Sequence, residues 1–288
     1  MESIVGIKNA LDYIEAHITE KMDYEQIARE AMLSNYYFQR VFGILCGYTL
    51  GEYIRCRRLT LAGEELSSQK VRVIDVALKY GYDSPDSFAK AFYKFHGITP
   101  SAAREPGAIL HVLPPLSIKI SLEGGKIMKY HIEEKQQMIF TGYKRRFEGV
   151  PGERAEQEEA MFLETKDRQA LLFDLSGDPS TQYTIIDCVD DTGYDFMIAA
   201  QADCVADKAE GLEKVVIPAQ TYAVFETERT KYPTELHLPL RRQIVSQWLP
   251  FSGYELTESP EINVVHWYRD DDKREQRYIE VWLPVVRK

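Results

Sequence analysis

The chain has 288 residues, of which 44% are hydrophobic, 28% charged and 11% aromatic. That length fits about two globular domains, and that composition fits packed cores rather than a disordered or fibrous chain. No apolar run approaches the ~18 residues of a spanning helix, and Met1–Lys8 lacks the basic and apolar stretches of a secretory leader, so the expectation is a cytoplasmic protein. The formal charge of −10 is unevenly spread. Residues 1–110 carry 13 Lys+Arg against 14 Asp+Glu, and residues 111–288 carry 22 against 31. The near-neutral first part is compatible with an anionic partner only through local placement of Arg and Lys.

In chain order, Ile4, Ile7, Leu11, Ile14 and Ile18 recur at helical steps and predict a helix over Ser3–Ile18. Asp23 is a candidate N-cap for a short helix to Ala31. Asn35–Leu45 carries Phe38, Val41, Phe42 and Leu45 on one stripe, and Leu50–Leu66 is a long helix. Val73–Tyr80, a turn at Gly81–Ser84 and Pro85–Phe95 follow. The spacing Phe38-x3-Phe42-x4-Gly47-x-Thr49 returns fifty residues later as Phe88-x3-Phe92-x4-Gly97-x-Thr99, with Ala28 and Ala77 opening the two units. Two copies are too few for a solenoid, so a duplicated helix-turn-helix is the better account.

Past Arg104 the texture changes. Pro106-Gly107 and Pro114-Pro115 break helices, and Leu116–Leu122 alternates before a turn at Glu123-Gly124-Gly125. Strands are predicted at Lys129–Glu133, Met138–Phe147, Tyr183–Val189, Tyr194–Ala200, Thr221–Thr227 and Tyr278–Val286, with helices at Glu153–Lys166 and Thr234–Leu249. The overall expectation is a multidomain protein: an all-α first domain with two helix-turn-helix units, then an α+β domain.

A DNA-reading helix exposes polar side chains on one face while packing the other. Tyr36, Gln39 and Arg40 lie opposite Phe38, Val41 and Phe42; Gln suits adenine and Arg suits guanine, each worth ~1–3 kcal/mol of discrimination. In the second unit the equivalent face offers Ser84, Asp86, Ser87 and Lys90, with Ser84 also a candidate cap. Asp86 repels DNA unless it meets a cytosine amine, so this helix is expected to contribute less affinity. Arg55, Arg57 and Arg58 divide between phosphate contacts and structural ion pairs. The cysteines, Cys46, Cys56, Cys188 and Cys204, show neither metal-ligand nor disulfide spacing. No metal site, catalytic residue or cofactor is expected.

In the last strand, Ile279, Val281, Leu283 and Val285 alternate with Tyr278, Glu280 and Trp282. A carboxylate between two aromatics suits an organic cation, because ring faces and carboxylate both attract positive charge. The alternative is a surface Glu beside surface aromatics.

Residues Ile4–Arg104 resemble the DNA-binding domain of the AraC family of transcription regulators. The resemblance is carried by Ile27-Ala-Arg-Glu-Ala31, Leu33-Ser34, Tyr37-Phe-Gln-Arg-Val-Phe42, Gly47, Tyr53-Ile-Arg55, Arg58-Leu59, Ala62, Val73-Ile74, Val76-Ala77, Gly81-Tyr82, Ser87-Phe88, Lys90, Phe92 and Gly97-Ile-Thr-Pro100. It implies seven helices, two recognition helices about one DNA turn (~34 Å) apart, binding to duplex promoter DNA and, in many members, recruitment of RNA polymerase. Two departures stand out. Met32 replaces the usual turn glycine, and Pro85-Asp86 replaces more typical polar contacts.

Met128–Lys288 resembles the GyrI-like effector-binding domain through Tyr143-Lys-Arg-Arg-Phe147, Ile217-Pro-Ala, Thr221-Tyr-Ala-Val-Phe225, Trp248-Leu-Pro-Phe-Ser-Gly-Tyr-Glu-Leu256 and Ile279-Glu-Val-Trp-Leu-Pro284. This implies a pseudo-repeated antiparallel sheet around a cleft for a small hydrophobic or cationic effector, with Glu280 as its anion. The cleft is then expected to use Tyr278, Trp282, Tyr143, Phe147, Tyr222, Trp248, Tyr254 and Trp267, with Trp248 alternatively a core residue. The expected organisation is 1–108 for DNA binding, 109–127 as linker and lead-in strand, and 128–288 for the effector. The function implied is a ligand-responsive transcription regulator, and an activator; a GyrI-like small-molecule hydrolase fused to a DNA-binding domain is the alternative.

Overall fold

The computed structural model describes residues 2–118, 127–153, 155–178, 180–203, 211–268 and 271–288. Cys204 and most of the expected lead-in strand and its turn lie outside them. The chain divides into two compact units, one of residues 1–38 with 50–122 and one of residues 39–49 with 123–288.

The first unit is helical: α1 (Glu2–Ala16), α2 (Tyr24–Glu30), the start of α3 (Asn35–Cys46), α4 (Leu50–Ser68), α5 (Val73–Lys79) and α6 (Pro85–His96), then a 3₁₀ turn at Ala102–Arg104. Asp23 caps α2 by accepting from the Glu25 amide, and Ser84 caps α6 by accepting from the Ser87 amide, as the sequence predicts. Gly97 ends α6 in the left-handed conformation that only glycine adopts freely (φ 76). The middle of the unit is α4, which buries Tyr53, Arg57, Leu59, Ala62 and Leu66. Its second half packs with Val76 and Ala77 of α5, Tyr80 just after it, and Phe88 and Phe92 of α6 into one core. The repeated phenylalanines are thus core anchors, and the spacing between them is what places each unit's outer face.

The second unit holds an antiparallel sheet of β1 (Tyr130–Lys135), β2 (Met138–Glu148), β3 (Thr181–Asp187), β4 (Gly193–Ala200), β5 (Glu213–Ile217), β6 (Gln220–Glu226), β8 (Glu261–His266) and β9 (Tyr278–Arg287), while short β7 (Tyr254–Leu256) pairs only with β9. The order is β1-β6-β9-β8-β3-β4-β2-β5. Strands β2, β3 and β4 form one half and β6, β8 and β9 the other; β3 and β8 join them, pairing Thr184 with Asn263. Each half receives the other's leading strand, since β1 pairs with β6 and β5 with β2. This is the expected pseudo-repeat.

Side chains alternate between the two sheet faces. On one face, Tyr143, Phe147, Tyr194, Phe196 and Ile198 pack with Met161 of α7 (Ala155–Glu164) and Leu172 of α8 (Gln169–Ser176). The same face meets α9 (Thr234–Gln243), where His237 lies 2.9 Å from Asn263. On the other face Phe140, Ile185, Met197, Tyr222, Val224, Ile262, Val264 and Trp282 bury one another in a single cluster. Residues of β2 and β6, near opposite ends of the order, belong to that one cluster, so the sheet curls over this face.

Several elements depart from expectation. The helix predicted over Thr234–Leu249 stops being α-helical at Gln243 and continues as a π turn at Ile244–Trp248, after Pro239. Helix α8 and strands β5, β7 and β8 are not among the predicted elements.

Candidate functional site

In the first unit the second helix-turn-helix presents a polar face. Asp86, Ser87 and Lys90 are exposed on α6, while Phe88 and Phe92 are fully buried beneath them. The hydroxyl of Ser84 is engaged in the cap, 3.1 Å from the Ser87 amide and 3.0 Å from the Ser87 hydroxyl. Arg55 is exposed. Arg57 and Arg58 are engaged within the unit: Arg57 is buried on Glu15 at 2.8 Å, and Arg58 donates to the carbonyls of Ile18 and Glu20.

On α3, Tyr36 and Gln39 are half-buried and Arg40 is buried, with 4% exposure. The expectation that Arg40 points outward does not match this arrangement. Its Nη2 lies 2.9 Å from Oε2 of Glu261, which also receives Nη2 of Arg241 at 3.0 Å, all within the second unit. Burial alone would raise the Glu261 carboxyl, but the charges of Arg241 and Arg40 outweigh it and bring it down to about 2.

The effector residues divide by strand parity. Tyr278, Glu280, Trp282 and Tyr222 share the curled-over face, Tyr222 lying fully buried 5.9 Å from the Trp282 ring. Tyr143 and Phe147 lie on the helix-covered face, at 6% exposure each, so the structure does not bring them to Glu280. Trp248 and Tyr254 are also on that side, where Trp248 packs on Phe225 at 4.9 Å and stacks with Tyr254 at 6.0 Å. Trp248 is therefore core. Trp267 is a third of the way exposed, with the Arg277 guanidinium 4.1 Å over its ring.

Around Glu280 the geometry is tight. Its Oε1 lies 2.9 Å from Nε2 of His266, and its Oε2 accepts from the Trp282 indole at 2.7 Å. The His266 ring stacks on Tyr278 at 4.1 Å and 11°, a pairing that the β8–β9 register dictates. Lys135 of β1 stands 4.2 Å over the Trp282 ring, and Arg229 stands 4.0 Å over Tyr278. Burial pushes the Glu280 carboxyl up, yet the hydrogen bonds from His266 and Trp282 and the charges of His266 and Lys135 prevail, leaving it below the usual value. It stays an anion at neutral pH. His266, Lys135 and Arg229 were missed by the sequence reading; the alternation Ile262, Val264, His266 was the available signal, in a strand not anticipated.

Among the described residues no group of His, Cys, Asp and Glu is placed to hold a metal ion, and no helix is long and apolar enough to cross a membrane.

A duplicated helix-turn-helix unit followed by a curled, pseudo-repeated sheet with an anion among aromatics defines a DNA-binding regulator fused to an effector-binding domain. Residues 27–106 match the helix-turn-helix domain family, and residues 131–285 match the family described as integron-associated effector binding protein. The chain belongs to the AraC family of transcription regulators, with a GyrI-like effector-binding second half. It is similar to the transcriptional activator AarP of Providencia stuartii, 43% identical over 98 residues that make up 34% of this chain and 73% of AarP. It is also similar to the regulatory protein SoxS of Salmonella typhimurium, 36% identical over 98 residues, 34% of this chain and 92% of SoxS. A crystal structure of an integron cassette protein from Vibrio cholerae aligns with 55% of this chain and 95% of its own, at 13% identity and a TM-score of 0.38. The chain is a transcription regulator, as are these relatives.

Proposed function

We propose that this regulator activates transcription in the cytoplasm in response to a lipophilic cation that binds at Glu280, and that it recruits RNA polymerase to its promoters. The observation that carries the effector reading is the Glu280 carboxylate, anionic and only 18% exposed, on one strand face with Tyr278 and Trp282. A partly desolvated carboxylate beside two ring faces favours an apolar cation over a hydrated one, each ring adding about 0.5–2 kcal/mol.

DNA contact is assigned to Tyr36, Gln39 and Arg40 on α3 and to Asp86, Ser87 and Lys90 on α6, with Ser84 serving the cap that orders this end of α6. Arg40 must exchange Glu261 for a guanine before it reads a base. Only an effector with different affinities for two states of the protein changes DNA occupancy or polymerase contact.

Mobility shifts on the intergenic DNA upstream of the protein's own gene, with and without a panel of lipophilic cations, test both halves. Folded Gln39→Ala/Lys90→Ala protein is expected to lose at least about tenfold in affinity, and Glu280→Gln to lose the response to cations. Unchanged DNA affinity in the first variant, or an unchanged cation response in the second, overturns the corresponding half.

A further inference from the structure

The Glu280 site already contains a partner for its carboxylate, and that partner is titratable. We propose that His266 is the specificity-determining residue of this site: as a neutral imidazole it leaves the carboxylate charge available to a cationic guest, and as an imidazolium it cancels that charge and turns the site toward uncharged guests. This deepens the effector reading above and rests on it.

The geometry supports the assignment in three ways. His266 and Glu280 are each only 18% exposed, and their contact is 2.9 Å, so little water screens the imidazole charge from the carboxylate. The imidazole is also held in place. Stacking on Tyr278 and the β8–β9 register leave it facing Glu280. Finally, the second carboxylate oxygen is taken by the neutral Trp282 indole, so the charge balance at Glu280 itself turns on His266.

The surrounding charged groups do not supply the same switch. Lys135 is paired with Glu133 at 2.7 Å, and Arg229 sits over Tyr278 with Glu226 beside it at 3.5 Å. Asp178, ahead of β3, is held below the usual carboxylate range by hydrogen bonds from Thr181 and Ser180. Burial pushes Tyr183 upward and Tyr278 up to about 12, away from neutrality. Between about pH 5.5 and 8 the side chains that change charge are imidazoles. One other imidazole on this face, His131, is exposed and 3.5 Å from Glu133, two strands from Glu280.

Proton binding at His266 and cation binding beside Glu280 are then mutually opposed, and the coupling is reciprocal. Calorimetric titration of the full chain with tetraphenylphosphonium and with uncharged triphenylphosphine oxide, at about pH 8 and about pH 5.5 and constant ionic strength, measures it. The cation should bind about tenfold more weakly at the lower pH, and the oxide should change by less than about twofold. Between those two pH values the heat of cation binding should also depend on the buffer's ionisation enthalpy, reporting proton release.

In His266→Gln, which keeps an N–H donor without a titratable charge, the pH ratio should fall below about twofold and the proton release should vanish. His131→Gln should keep both. Cation binding that is independent of pH in the parent, or a full pH ratio retained in His266→Gln, overturns the inference and leaves the effector reading standing. Absence of cation binding at either pH removes the effector reading, and this inference with it.

Discussion

Met32 and Gly81 occupy the same place in the two helix-turn-helix units, and both turn through a left-handed backbone, with φ 57 at Met32 and 81 at Gly81. They follow Ala28 and Ala77 by four residues each, and in both turns the next amide bonds back to that alanine's carbonyl, Leu33 to Ala28 and Tyr82 to Ala77. The departure from glycine has therefore not widened the first turn; the chain keeps the geometry with a strained residue. A side chain in this region costs roughly 1–2 kcal/mol, of which glycine's greater unfolded-state entropy returns up to about 1. Met32 is 68% exposed, so its side chain offsets little of that. Met32→Gly should accordingly raise stability by about 0.5–1 kcal/mol, seen as a melting temperature higher by a few degrees. A lower melting temperature would show that the Met32 side chain does more than its exposure allows.

The N-terminal helices were legible because each carries its own marks: a helical stripe, a capping Asp23 or Ser84, and a terminating glycine such as Gly97. In the sheet, β9 and β2 were legible by alternation, whereas β8 was not. Its sequence Glu-Ile-Asn-Val-Val-His does alternate, but Glu261 and Asn263 face inward under α9, where Arg241 pairs with the Glu261 carboxylate and His237 meets the Asn263 amide oxygen. Buried polar residues paired across the fold mimic an exposed face when read along the chain. The same non-local pairing hid His266 behind Glu280. Strand parity also explains why Tyr143 and Phe147 of β2 do not line the same face as Glu280, whereas Trp248 comes from the π turn after α9 and packs on the other side of the sheet.

The Glu261 cluster makes a stability prediction. Arg241 is 1% exposed; its Nε lies 2.8 Å from Glu261 Oε1, and its Nη1 donates to the Pro151 carbonyl at 2.8 Å. Arg241→Leu removes the larger of the two opposing charges felt by a fully buried carboxylate. The loss should be about 3–5 kcal/mol, the usual penalty for orphaning one member of a buried pair, measured by denaturant unfolding. A loss below about 1 kcal/mol would mean that Arg40 alone satisfies Glu261.

The same cluster sets an acid limit. Burial lowers His237 to about 4, helped by the nearby Arg241 charge, and the Glu261 carboxyl is brought down to about 2. Both folded values lie below the unfolded ones. Their stabilisation is therefore complete above about pH 6.5 for His237 and above about pH 4.5 for Glu261. It is lost as pH falls through about 4 and then about 2. Unfolding free energies should decline from about pH 6.5 downward in two stages, the first absent in His237→Gln. A flat profile between about pH 6.5 and 4 would contradict a neutral His237.

The α6 face gives the sharpest test of how the two helix-turn-helix units share DNA binding. Asp86 and Lys90 are both exposed there, one turn apart on the same helix, above Phe88 and Phe92. A carboxylate approaching phosphates is repelled unless a cytosine amine accepts its company, whereas the lysine gains by displacing counterions. Asp86→Asn should tighten binding across operator variants and, if it loses no base contact, do so uniformly. Lys90→Ala should weaken binding at every sequence and reduce the slope of log affinity against log salt by about one. Anisotropy titrations of a labelled operator at several salt concentrations measure both. Weaker binding of Asp86→Asn confined to operators with one particular base pair would instead identify Asp86 as a cytosine reader, and α6 as a specificity element rather than the weaker of the two helices.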